Sequence, residues 1–193
     1  MTRWQNSMHK LNSSEEHQDH SIEDFFKVKN YQPKSEEEKQ IFEEFSLIKS
    51  SMAILIHVAN ADRAINPEEK EQIINDIVFQ MEQRPYEFDK LSEKFGDNEK
   101  EIITNMYEKM LKDYQEHKLD LDKIINDICL LYQNNPEKRY YLIRLSFYCA
   151  LSDNAFSEEE QKAIKDVAKK MNVPDDELKR IEEEAKTEIS KKR

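Results

Sequence analysis

The chain has 193 residues, 37% of them charged and 37% hydrophobic, with a net charge of −11. That acidity repels a phosphate backbone, and no basic stripe with interleaved aromatics offsets it, which excludes nucleic acid as the primary partner. One Gly and five Pro leave too few residues for turns that need positive φ, so an all-α protein in one domain is expected.

No apolar run approaches the ~20 residues of a membrane span. The N-terminus lacks the apolar core and small-residue cleavage site of a signal peptide, so a cytoplasmic location without direct membrane insertion is expected. Cys129 and Cys149 lie within apolar helical patterns and show no CxxC spacing, which reads as buried reduced thiols.

Residues 1–33 are polar and balanced in charge, with only Ile22, Phe25, Phe26, Val28 and Tyr31 to bury, and read as a flexible N-terminal segment. His9, His17 and His20 fall there at spacings that match no zinc pattern, so they read as solvated tail residues. A single helical domain is expected over 34–190. Ser35-Glu36-Glu37-Glu38 has the form of a capping box. The helix behind it sets Ile41, Phe42, Phe45, Ile48, Met52, Leu55, Ile56 and Ala59 on one face and runs to Asn60. From Met52 to Ala61 nearly every residue is apolar, which predicts burial on more than one side and makes this the central helix.

Asn66 is placed as N-cap, Pro67 at the first helical position and Glu69 at the third of a second helix. Ile73, Ile74, Ile77, Val78 and Met81 form its inner face until Arg84-Pro85 ends it. A short helix over 86–95 and a longer one over 98–114 come next, with Gly96 closing the first and Asp97 capping the second. Ile102, Ile103, Met106, Met110 and Leu111 face inward on the longer one. The run 119–132 spaces Leu121, Ile124, Ile125, Ile128, Cys129 and Leu131 as a helix. Asn135 and Pro136 then open a helix to Leu151 that is a second version of the central one. The final pair runs over 158–171 and, after Asn172-Val173-Pro174, from a cap at Asp175 past Leu178, Ile181 and Ala185 to a frayed Lys-Lys-Arg end.

The stretch Ala61-Asp62-Arg63-Ala64-Ile65-Asn66-Pro67-Glu68-Glu69 returns 91 positions later as Ser152-Asp153-Asn154-Ala155-Phe156-Ser157-Glu158-Glu159-Glu160. Repeat halves of about 45–82 and 136–172 predict a compact bundle of about seven or eight helices with an internal pseudo-twofold duplication. A solenoid would need at least three short repeats at a fixed period.

Asp62, Glu68 and Glu69, with their repeats Asp153, Glu159 and Glu160, support two readings. As caps, Glu69 and Glu160 complete capping boxes, Glu68 and Glu159 meet the positive helix N-terminus, and both aspartates accept backbone amides. As a metal site, each set converges on a divalent cation such as calcium, magnesium, manganese or zinc. The EF-hand template fails, because its sixth position holds Pro67 or Glu158 instead of Gly and its twelfth Ile73 or Ile164 instead of Glu. Spacing alone favours capping. His57 and Tyr148 sit at equivalent positions one turn before each motif, and His57 reads as a satisfied core residue. There is no Gly-rich phosphate loop, GxSxG or HExxH, and neither cysteine has an activating neighbourhood, so no enzyme is expected. A hydrolase built on the clustered carboxylates is the minor alternative.

An apolar helix ending in Ala59-Asn60-Ala61-Asp62, a short turn, Ile65-Asn66-Pro67-Glu68-Glu69 and an amphipathic helix resembles the tellurite-resistance TerB-like family. Its motif reads Ala-Asp-Gly, two residues, then Ser or Asn, Pro, Glu, Glu. Asp153, Phe156-Ser157 and Glu159-Glu160 match it in the second copy, and Met171-Asn172-Val173-Pro174-Asp175-Asp176-Glu177-Leu178 is similar to the family's closing helix pair. The resemblance spans about 45–185. Arg63 and Asn154 replace the Gly; Asn tolerates the left-handed conformation and Arg does not, which predicts a different geometry for the first turn.

The resemblance implies a role in tellurite and other chemical stress, acidic surfaces that bind divalent metal, and protein partners that include membrane-associated ones. The family module also forms the N-terminal region of a membrane-bound J-domain co-chaperone. No J-domain signature or span accompanies it here, so that role does not transfer. The expected functions are a metal-responsive stress module or an interaction scaffold whose acidic surface and N-terminal segment recruit a basic or apolar partner. A homo-oligomer is compatible with both.

Overall fold

The computed structural model describes residues 36–82, 99–152 and 156–192. Among them it forms seven helices and no strand: α1 (Glu36–Ala59), α2 (Pro67–Glu82), α3 (Glu99–Gln115), α4 (Leu121–Leu131), α5 (Pro136–Ala150), α6 (Glu158–Lys170) and α7 (Asp175–Lys192). The all-α bundle expected from composition is what the chain folds into. The tail 1–33 with its phenylalanines and histidines, the Ser35 cap, Arg84-Pro85, the short helix 86–95, Gly96, the Asp97 cap and Asp153 to Ala155 lie outside the described residues. So do the side chains of Ile41, Phe42, Phe45, Met81 and Ile102.

α1 is central because, between Met52 and Ala59, its single polar residue is the half-buried His57. Met52, Ala53, Ile54, Leu55, Ile56, Val58 and Ala59 are all buried, and α2, α3, α4, α5 and α6 pack around them. At about 1.5–3 kcal/mol for each fully buried large aliphatic side chain, this helix is the main source of cohesion. It faces two core clusters. Ile48, Met52, Leu55 and Ile56 join Ile73, Ile77, Ile103 and Tyr107 in one. Leu47, Ile54 and Val58 join Ile125, Ile143, Phe147, Ile164 and Ile181 in the other.

Local chemistry sets the helix ends. α1 stops at Ala59, one residue before the expected Asn60. α3 runs from Glu99 to Gln115, a residue later at each end than expected. It closes with His117 at φ 55°, where Lys118 N donates to Asp113 O at 2.8 Å. α6 closes the same way, with Asn172 at φ 55° and Val173 N donating to Ala168 O at 3.0 Å. These are Schellman-type ends that return orphan carbonyls to a partner.

Three expected starts are corrected. α4 begins at Leu121, since the Asp120 side chain accepts from Lys123 N at 2.9 Å and so stands outside the helix as its cap. Asn135 precedes α5 without a side-chain capping bond, and the start rests on Pro136 at the first position. Asp175 is itself the first residue of α7, so it and Asp176 act as first-turn carboxylates that favour the helix N-terminus. At the other end α7 continues to Lys192 where fraying was expected. Cys149 is buried as expected; Cys129 is half-buried, its Sγ 3.7 Å from Lys170 O.

Candidate functional site: the two acidic turns

After α1 the chain tightens. Asn60 N donates to Ile56 O, Ala61 N to Val58 O and Arg63 N to Asn60 O, each at 3.0 Å. Arg63 sits at φ 77°, the left-handed region. The altered geometry predicted for an Arg in the Gly position is therefore not what forms: Arg63 adopts the left-handed conformation itself, at a cost of about 1–2 kcal/mol. Asp62 Oδ1 accepts from Ala64 N at 3.1 Å, an Asx turn that steers the chain toward α2. Asn66 and Glu69 then cap α2 reciprocally, with Glu69 N donating to Asn66 Oδ1 at 2.8 Å and Asn66 N to Glu69 Oε2 at 2.9 Å.

The described residues on either side of the second turn make matching bonds 91 residues on. Leu151 N donates to Phe147 O and Ser152 N to Cys149 O, each at 3.0 Å, the counterparts of the Asn60 and Ala61 bonds. Glu160 N donates to Ser157 Oγ at 3.1 Å while Ser157 N donates to Glu160 Oε2 at 2.8 Å, a full capping box. α1 and α5 end, and α2 and α6 begin, in matching register.

The six carboxylates named from the sequence divide into two groups. Glu69 and Glu160 are 3% and 2% exposed and turned inward as caps. Asp62, Glu68 and Glu159 lie on the surface, and Asp153 lies outside the described residues. Among the described residues no group of three or more His, Cys, Asp or Glu side chains is placed to hold a metal ion. The first turn thus does not fit a three-carboxylate cage. In the second, Glu160 Oε1 is buried without a hydrogen-bond partner.

The residues beneath the turns carry polar contacts that spacing did not announce. His57 Nδ1 lies 2.9 Å from Tyr114 Oη on α3. Burial is the main cause that holds the His57 pKa below its ordinary value, with Lys170 adding to it and Asp166 and Asp122 opposing. Tyr148, its counterpart in the repeat, hydrogen-bonds Glu188 of α7, and burial together with that carboxylate pushes its phenol up to about 12. Lys186 lies 5.7 Å from the centroid of the Phe156 ring beside the second turn, and Lys70 lies 5.5 Å from that of Tyr107 beside the first. Spacing assigned His57 no partner because Tyr114 is 57 residues away; only the crossing of α1 and α3 brings them together.

Among the described residues no helix is long and apolar enough to cross a membrane. The family model of tellurite resistance protein TerB matches residues 49–183, about seven tenths of the chain, and the chain belongs to that family. No curated protein and no solved structure matches.

Proposed function

We propose that this member of the TerB family is a non-enzymatic, cytoplasmic module of the tellurite-type stress response that works by engaging a protein partner through its acidic surface. The observation that carries the reading is the burial of Glu69 and Glu160 as caps. It fixes the starts of α2 and α6, and Asp62, Glu68, Glu158 and Glu159 stand exposed beside them. Fixed negative charge on a chain of net charge −11 attracts a basic protein surface, including that of a membrane-associated protein, and speeds its encounter.

Tellurite challenge of cells lacking the protein tests this reading. Complementation by the wild type, and its loss in Asp62→Lys with Glu68→Lys at unchanged helical content, is the expected result. Full complementation by the charge-reversed variant would sink the adaptor reading. In a parallel pull-down, deletion of residues 1–33 is expected to release the partner and keep the helical content.

A second reading, a divalent cation at the second turn, is favoured by the unpartnered buried Oε1 of Glu160, an acceptor with nothing to accept. Calorimetric titration with calcium, magnesium, manganese and zinc decides it. Heat that Asp62→Asn with Asp153→Asn abolishes supports a cation; no heat, or heat that this pair leaves unchanged, removes metal from the account.

A further inference from the structure

α1 ends where the first turn begins, and the last contacts it makes before releasing the chain are polar. His57 lies in its final turn and is half-buried, with Nδ1 2.9 Å from the Tyr114 hydroxyl. The two rings are tilted at 59° with centroids 6.0 Å apart. The Asn60 side chain hydrogen-bonds the same phenol. Three side chains therefore tie the C-terminal end of α1 to that of α3, next to the residue from which the turn departs.

We propose that Asn60, Tyr114 and His57 form a proton-operated latch, which fastens the start of the first acidic turn to α3 while His57 is neutral and releases it when His57 gains a proton.

The chemistry is that of donors and acceptors. A neutral imidazole with its proton on Nε2 offers Nδ1 as an acceptor, and the single phenolic proton of Tyr114 fills it while the Asn60 amide donates to the phenol oxygen. An imidazolium carries N–H on both nitrogens. Its Nδ1–H then competes with Asn60 for the phenol oxygen, and the Tyr114 proton loses its acceptor inside a half-buried contact, where an unmade bond is costly.

The surroundings reinforce this. α3 contributes Tyr114, α4 contributes Asp122, and α6 contributes Asp166 and Lys170. Lys170 is held by Asp122 as an ion pair, so part of the nearby negative charge is already answered. Burial, the largest influence, and Lys170 both disfavour a charged His57, and they outweigh Asp166 and Asp122. The folded-state pKa therefore lies below the ordinary 6.5. The latch contributes its full stability above about pH 6.5 and loses it as pH falls through the folded value. The latch sets how firmly the turn is held, whatever the turn meets.

Two measurements on the full chain test it. The His57 ring is titrated by NMR, and the amides of residues 60–66 are followed by hydrogen exchange at about pH 7.5 and about pH 5.5, corrected for intrinsic rates. His57 is expected to titrate below 6.5. Exchange at 60–66 is expected to accelerate severalfold, up to the roughly tenfold limit that one proton gives over this range, on acidification in the wild type and to lose that response in His57→Gln. Tyr114→Phe is expected to exchange fast already at the higher pH. A wild-type His57 that titrates at or above 6.5 would overturn the latch. So would wild-type exchange that ignores pH, or an identical response in His57→Gln. If either substitution prevents folding, the two wild-type measurements still decide.

Discussion

Arg63 is a turn residue whose side chain works against its backbone. At φ 77° a Cβ crowds the following carbonyl, and glycine escapes this. Since Arg63 is exposed, Arg63→Gly is expected to stabilise the fold by about 0.5–1 kcal/mol, net of glycine's greater freedom when unfolded. That corresponds to a rise of roughly 1–4 °C in Tm by circular dichroism. A Tm that falls would show that the guanidinium repays the strain. Residues of the capping kind were legible in the sequence. Asn66 and Glu69, or Ser157 and Glu160, meet across a single turn, so three-residue spacing contains the whole interaction. The conformation of Arg63 was not, because its neighbours impose it: Asp62 binds Ala64 N, and Asn66 must reach the α2 amides. Nor was the burial of Glu69 and Glu160, since a carboxylate at that spacing caps the helix whether or not it is covered.

Among the elements, α1 shows how much periodicity reveals. Its nearly continuous apolar stretch predicted burial on several sides, and Ile56 is fully buried between α2 and α3. Ile56→Ala is expected to cost about 2–5 kcal/mol. By contrast Leu130, 70% exposed on α4, is expected to change stability by less than about 0.5 kcal/mol when replaced by Ala. Urea denaturation of the two variants checks the contrast, and equal losses would contradict the placement of α1 at the centre. α4 also marks the limit of such reading. Leu119 extends its apolar pattern by two residues, yet Asp120 caps Lys123 N and expels Leu119 from the helix. Periodicity reports a face, whereas a cap decides an end. Cross-helix ion pairs such as Lys70 with Glu108 and Arg144 with Glu184 are exposed or half-exposed and orient neighbours more than they stabilise them.

At the scale of the molecule, the two core clusters have one helix in common. Ile56 and Met52 face one, Ile54 and Val58 the other, and neither can lose its packing without exposing a side of α1. Unfolding is therefore expected to be a single transition. Ile73→Ala in the first cluster and Ile164→Ala in the second should lower the same midpoint, with far-UV and near-UV circular dichroism coincident. Two separable transitions would show that the clusters are independent. The shared helix also matters while the chain is being made. Ile54 and Val58 emerge long before α5 and α6, which cover them. At roughly 5–20 residues per second, that side of α1 waits on the order of ten seconds for its complement, an interval in which a nascent-chain chaperone finds an apolar strip to hold.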